Sequence, residues 1–229
     1  MTITNNSFLT GTYSLILVGN PGVGKSTILN ALGGNFHTGF SAFSGLTRKM
    51  STRTVPLEGR SIRLVDIPGI FDWSAKNDLA TDQHLDILHD ALNDGSDYVI
   101  FFVIAPVNGR ISPSDFSVMK TLLDKLDRAP LVGLILTQIR RDHYDAIQTS
   151  GYYEAIQKVL RESNADLKFL SEMGPLILLN HTSEFSSAEE NIIKDYILAF
   201  EPTKVYVRRM ITNLLRRLIE LFLQLLIGF

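Results

Sequence analysis

Three glycines, a lysine and two hydroxyls fall within nine residues: Gly19, Asn20, Pro21, Gly22, Val23, Gly24, Lys25, Ser26 and Thr27. Their spacing satisfies G-x-x-x-x-G-K-[ST], the pattern of a loop that wraps phosphate. Glycine at these positions lets successive backbone N–H groups converge on an anion. Lys25 is placed to reach the β- and γ-phosphates of a bound nucleotide, and the Ser26 hydroxyl to ligate Mg²⁺. A second candidate metal group is Asp66, which opens the run Asp66-Ile67-Pro68-Gly69 at the end of an apolar stretch. Its carboxylate would hold Mg²⁺ through water, and the Gly69 N–H would sense the γ-phosphate.

Positioning these groups takes an alternation of strands and helices. The apolar run 13–18 predicts a buried strand feeding the loop, and 25–32 a helix leaving it, whose N-terminal dipole favours the phosphates. Residues 33–49 read as a long loop. Runs 51–57 and 61–67 alternate as a hairpin across 58–60. Helical spacing covers 77–92, and 97–105 is apolar enough for a strand covered on both faces. Ser112 and Pro113 start the next helix as N-cap and first position, with Asp115 in the acidic first turn. Strands follow at 131–136 and 176–179, separated by a helix near 152–162, and Ser187 with Glu190 predicts a capping box for another. The pattern is that of an α/β fold with a mainly parallel sheet flanked by helices.

The stretch from Asp66 to Asp72 resembles the D-T-P-G-[LI]-F-D signature of the immunity-associated GTPases (GIMAPs, or avirulence-induced GTPases). These form a septin-like group with the chloroplast outer-envelope import GTPases. Residues 44–49, S-G-L-T-R-K, are similar to that family's S-x-V-T-K-T switch segment, and 109–112, G-R-I-S, to its G-R-[YF]-T box. The resemblance is good over residues 15–126 and implies a P-loop NTPase G domain binding GTP or GDP with Mg²⁺. It implies that Thr47 joins Ser26 on the metal, with Thr52 and Thr54 as competitors. It further implies a homodimer formed on nucleotide binding, with Arg110 supplied in trans as a catalytic finger; the other reading of Arg110 is a solvated helix-start residue.

Two features depart from the usual GTPase pattern. Guanine is ordinarily read by [NT]-K-x-D, but the expected strand 131–136 runs into Thr137, Gln138, Ile139, Arg140, Arg141 and Asp142. Thr137 is in place, Gln138 stands for lysine, Arg140 occupies the aspartate position, and Asp142 comes two positions late. Either the loop bulges so that Asp142 reaches the base, or other groups read it. Asn180 resembles a residue that packs near the base, with a polar turn as the plain alternative. After Gly69 comes Ile70, which cannot polarise water where Ras-like enzymes carry glutamine, so slow turnover by the monomer is expected. Trp73 either reports switch ordering or packs in the core, and no histidine has metal-ligand spacing.

Composition bounds the partners. With 229 residues, 45% apolar and a net charge of -2, the chain suits one sizeable domain without the basic face that nucleic acid requires. The lack of cysteine fits a reducing compartment. Residues 1–10 lack a signal pattern, and no apolar run approaches the ~18 residues of a membrane span, so a cytoplasmic, or else peripheral membrane, protein is expected. From Val207, apolar residues recur at Ile211, Leu214, Leu218, Leu221 and Leu225, opposite Arg209, Arg216 and Arg217. That is a long amphipathic helix, packing on the domain or a second subunit, or else lying on a lipid surface. The expected organisation is a G domain over 11–200 and this helix over 203–229. The alternatives to a GTP-hydrolysing switch are an ATPase and a nucleotide-dependent scaffold or membrane-assembly protein with negligible turnover.

Overall fold

The computed structural model describes residues 12–38, 50–67, 87, 91–92, 96–126, 130–149, 152–162, 174–179 and 185–203. The expectations for Thr47, Gly69, Ile70, Trp73, Asn180 and the 204–229 helix lie outside these residues, as does most of the 77–92 helix.

Six strands form one sheet: β1 (Thr12–Val18), β2 (Ser51–Leu57), β3 (Arg60–Asp66), β4 (Asp97–Ile104), β5 (Val132–Ile139) and β6 (Leu176–Leu179). Their order is β2-β3-β1-β4-β5-β6. Only β2 and β3 pair antiparallel; every other neighbouring pair is parallel. The antiparallel edge follows from the turn between them. Glu58 and Gly59 both take positive φ, 46° and 78°, which gives a two-residue turn whose twist matches that of the strands. The parallel strands are apolar along nearly their whole length because helices cover both faces.

Five helices are described: α1 (Lys25–Ala31), α2 (Pro113–Lys125), α3 (Tyr144–Thr149), α4 (Tyr152–Arg161) and α5 (Ser187–Leu198). Alternate residues of β1 serve opposite cores. Ile16 and Val18 pack with Met119, Leu122 and Leu123 of α2 and Ile156 and Leu160 of α4. Leu15 and Leu17 pack with Ile28 and Leu29 of α1 and Ile193 and Ile197 of α5. Each such side chain, fully buried, contributes about 1.5–3 kcal/mol, so both faces hold β1 rigidly beneath the loop it feeds.

The capping box of α5 lies one residue earlier than the sequence pattern suggested. Ser186, not Ser187, is the N-cap; its hydroxyl accepts from the Glu189 N–H, and Glu189 accepts from the Ser186 N–H at 2.8 Å. Both Ser186/Glu189 and Ser187/Glu190 satisfy S-x-x-E, and the register that buries Ile193, Tyr196 and Ile197 accompanies the first. Ser186→Ala is expected to lower stability by about 1 kcal/mol, and Ser187→Ala to leave it within about 0.5 kcal/mol; chemical denaturation of both variants checks the assignment.

Candidate functional site

β1 lies between β3 and β4, so the chain crosses to opposite sides of it. Such a reversal of strand order opens a crevice at the carboxyl ends of the strands, and the segment 19–27 fills that place. Gly19 is buried against β4, while Gly22 and Gly24 take φ of 79° and 92° with open space where a Cβ would stand. Gly24 is the N-cap of α1 and no side chain caps it. The N-cap itself thus offers no side-chain acceptor, and the dipole at the start of α1 favours an anion there.

Lys25 curls back over the loop. Its Nζ donates to the carbonyls of Gly19 and Asn20, each at 2.9 Å, and the residue is 7% exposed. Burial pushes its ammonium down from the usual lysine value to about 8, against the opposing pull of the Asp66 carboxylate. The Ser26 hydroxyl donates to Asp66 Oδ2 at 2.9 Å, and Asp66 is 2% exposed. This hydroxyl and carboxylate, brought together across forty positions of sequence, are hard oxygen donors. They suit Mg²⁺, which takes one or two protein oxygens and completes its shell with phosphate and water. Among the described residues no cluster of three or more His, Cys, Asp or Glu side chains forms a closed metal cage.

Thr137 and Gln138, expected beside the base, brace the loop from below. The Thr137 hydroxyl donates to the Val23 carbonyl at 2.8 Å, and the Gln138 amide donates to the Gly22 carbonyl at 2.6 Å. Gln138 reaches Gly22 from a left-handed backbone, φ 56°, at an irregularity in the β5–β6 pairing. That irregularity carries β5 to Ile139, beyond the expected end at 136. Arg140 follows in extended conformation, then a 3₁₀ turn over Arg141–His143. Arg140 Nε and Nη2 grip the two oxygens of Asp142 at 3.0 and 2.5 Å, and this bond holds the Asp142 carboxyl below the usual carboxylate range. The only carboxylate of the segment 137–142 is thus engaged by the arginine that stands in the aspartate position.

Arg110 is exposed. It closes a turn in which Asn108 and Gly109 have φ of 51° and 71°, with mutual N–H···O bonds between Val107 and Arg110. The turn leads into α2, whose Asp115 makes a contact that the linear sequence did not signal. Its carboxylate accepts from the Asn20 amide of the phosphate loop and from the Ser112 N–H, 6% exposed. Burial raises its carboxyl above the ordinary value, and the two hydrogen bonds oppose that. Asn20 and Asp115 are 95 positions apart, and only the docking of α2 against β1 brings them together.

Residues 14–138 match the family of 50S ribosome-binding GTPases. GTPase Der of Treponema pallidum is 43% identical over 74 residues, 32% of this chain and 16% of that protein. The tRNA modification GTPase MnmE of Cupriavidus metallidurans is 29% identical over 143 residues, 56% and 29% of the two lengths. The chain therefore spans less than a third of these relatives. Among solved structures, Toc33 from Arabidopsis thaliana in complex with Mg²⁺ and GMPPNP superposes with a TM-score of 0.57 at 16% identity, over 86% of this chain and 89% of that one. Era in complex with MgGDPNP and part of 16S ribosomal RNA gives 0.50 at 22% identity, over 84% and 59%. At these identities the structures speak for the fold, a G domain with a six-stranded, mostly parallel sheet. With more than half of its length matched by one family, and the phosphate loop at the switch point of the sheet, the chain belongs to the 50S ribosome-binding GTPases.

Proposed function

We propose that the chain is a GIMAP-like, Mg²⁺-dependent switch that binds GTP, hydrolyses it slowly as a monomer and turns over faster as a nucleotide-dependent homodimer. The observation that carries this reading is the convergence of Lys25, Ser26 and Asp66 at the mouth of the 19–27 loop. In this assignment Gly19, Asn20, Pro21, Gly22, Val23, Gly24, Lys25, Ser26 and Thr27 hold the phosphates, and Gly69 senses the γ-phosphate. Ser26, Thr47 and Asp66 serve the metal, which when bound neutralises charge on the β- and γ-phosphates. Thr137 and Gln138 support the nucleotide site through the loop carbonyls they bind, and Asn180 flanks the base.

Arg110 is the group offered to a partner's nucleotide, a reading supported by its exposure on a rigid two-residue turn. The near-balanced charge favours no nucleic-acid partner. The G domain extends over 11–200, and 203–229 forms the amphipathic helix that meets a second subunit or a lipid surface. Thr203 is tied by paired backbone bonds to Tyr98 at the start of β4. That end of β4 is remote from Val103, where the phosphate loop packs. ATP as the substrate is favoured by one observation, the engagement of Asp142 by Arg140.

Phosphate release measured against protein concentration, with Mg²⁺–GTP and Mg²⁺–ATP, tests the proposal. The expected result is faster turnover of GTP than ATP, a specific rate that climbs with concentration, and no climb for Arg110→Ala. An in-trans arginine contributes on the order of 10³-fold or more when fully engaged. A rate that is flat with concentration in the parent sinks the dimer, and preference for ATP sinks the base assignment.

A further inference from the structure

Asn20 is held at both ends. Its backbone carbonyl accepts from Lys25 Nζ at 2.9 Å, and its side-chain amide donates to Asp115 on the first turn of α2. Asp115 is in turn fixed by the Ser112 N–H at 3.3 Å and is almost wholly buried. α2 is anchored by Met119, Leu122 and Leu123 in the same core as Ile16 and Val18 of β1, so the carboxylate stands on a rigid base. A phosphate loop of three glycines has little intrinsic preference for one shape, and Lys25 takes its direction from two carbonyls of that loop. One of those carbonyls belongs to the residue that Asp115 grips.

We propose that Asp115 is a positioning residue for nucleotide binding: through the Asn20 side chain it fixes the loop carbonyl that aims Lys25 at the phosphates. This rests on the reading of residues 19–27 as the nucleotide's phosphate site. A buried carboxylate gripping a neutral amide is a charge-assisted bond, stronger and more directional than a contact between neutral groups. It ties the loop to the first turn of α2 and takes no part in the strand pairing, so its loss frees the loop without opening the sheet. The burial that raises the Asp115 carboxyl is the cost of keeping that charge inside, and the two donors offset it.

The test is the affinity of the full chain for GDP and GTP with Mg²⁺, by titration calorimetry, in Asp115→Ala, Asp115→Asn, Asn20→Ala and Asn20→Ala/Asp115→Ala. Asp115→Ala and Asn20→Ala are each expected to weaken both nucleotides about 10-fold, a loss on the scale of one hydrogen bond to a charged group. The double variant is expected to be no weaker than the worse single one, because both remove the same link. Asp115→Asn should stay within about 3-fold of the parent, since Asn20 can turn its amide and accept from the new one. Melting temperatures are read alongside. Asn20→Ala leaves the Ser112 bond of Asp115 intact and guards against a variant that loses the start of α2. A parent-like affinity in Asp115→Ala overturns the proposal, as do fully additive losses or an Asp115→Asn as weak as Asp115→Ala. If the parent itself binds neither nucleotide, the reading of the phosphate site fails and this inference with it; if the parent binds and the variants match it, the inference alone fails.

Discussion

Lys25→Met is expected to weaken binding of guanine nucleotide by roughly 100-fold or more, while making the nucleotide-free protein more stable at neutral pH. The first half follows from charge-assisted bonds to phosphate, each about 1.5–3 kcal/mol. The second follows from burial. Lys25 is 7% exposed and its ammonium is pushed down to about 8 by desolvation. A lysine whose folded value lies below its unfolded one destabilises the fold. Below about pH 8 both states carry the proton and the penalty is fully present. Between about 8 and the ordinary value near 10.5 the folded lysine gives up its proton first, and the penalty fades. The whole effect is about 3 kcal/mol, and the methionine, which keeps the apolar stem, removes it. Nucleotide reverses the balance, because triphosphate favours the charged amine. Binding above pH 8 therefore takes up a proton, and affinity falls as pH rises through that range. Calorimetry in buffers of different ionisation enthalpy reads the proton directly. Equal uptake by the parent and Lys25→Met would show that the proton goes elsewhere.

How far the sequence could be read depended on whether a feature is local. The phosphate loop is contiguous and its strand and helix adjoin it, so its place in the fold is legible in the sequence. The Asp66 strand end was legible too, because a carboxylate closing an apolar strand has few other uses in this setting. By contrast, the partners that shape the loop come from 95 to 116 positions away: Asp115 on Asn20, Thr137 on Val23 and Gln138 on Gly22. No spacing rule reaches that far. Thr137 and Gln138 were singled out for the base because of their order along the chain, yet their side chains point to loop carbonyls. The capping box was misplaced by one residue because two consecutive serines each precede a glutamate by three. The choice between them is made by which helix face reaches the core. The pairing of Arg140 with Asp142 was likewise invisible, since two residues of opposite charge two apart in a loop can meet or diverge.

Gly19→Ala is expected to destabilise the protein by about 3 kcal/mol and to lose nucleotide binding even where it remains folded. A Cβ at residue 19 would stand 2.2 Å from the Val103 carbonyl oxygen and 3.2 Å from Val23 Cγ2. Val103 is the penultimate residue of β4 and pairs with Ile135 of β5, so its carbonyl cannot swing away without disturbing the sheet. The new methyl therefore either drives β4 outward or lifts the loop. Lifting the loop moves the Gly19 carbonyl that holds Lys25 and the Val23 carbonyl that accepts from Thr137. Gly22→Ala separates steric from conformational effects. Nothing lies within 4 Å of its added Cβ, but its φ of 79° is unfavourable to any L side chain, at a cost of about 1–2 kcal/mol. Thermal melts with and without GDP and Mg²⁺ should rank Gly19→Ala below Gly22→Ala. Nucleotide should raise the melting temperature of Gly22→Ala, if only in part, and leave that of Gly19→Ala unmoved. A Gly19→Ala protein that melts with the parent and is still stabilised by GDP would mean that the loop and β4 tolerate separation. The close seat of the loop against Val103 would then have no part in holding the phosphates.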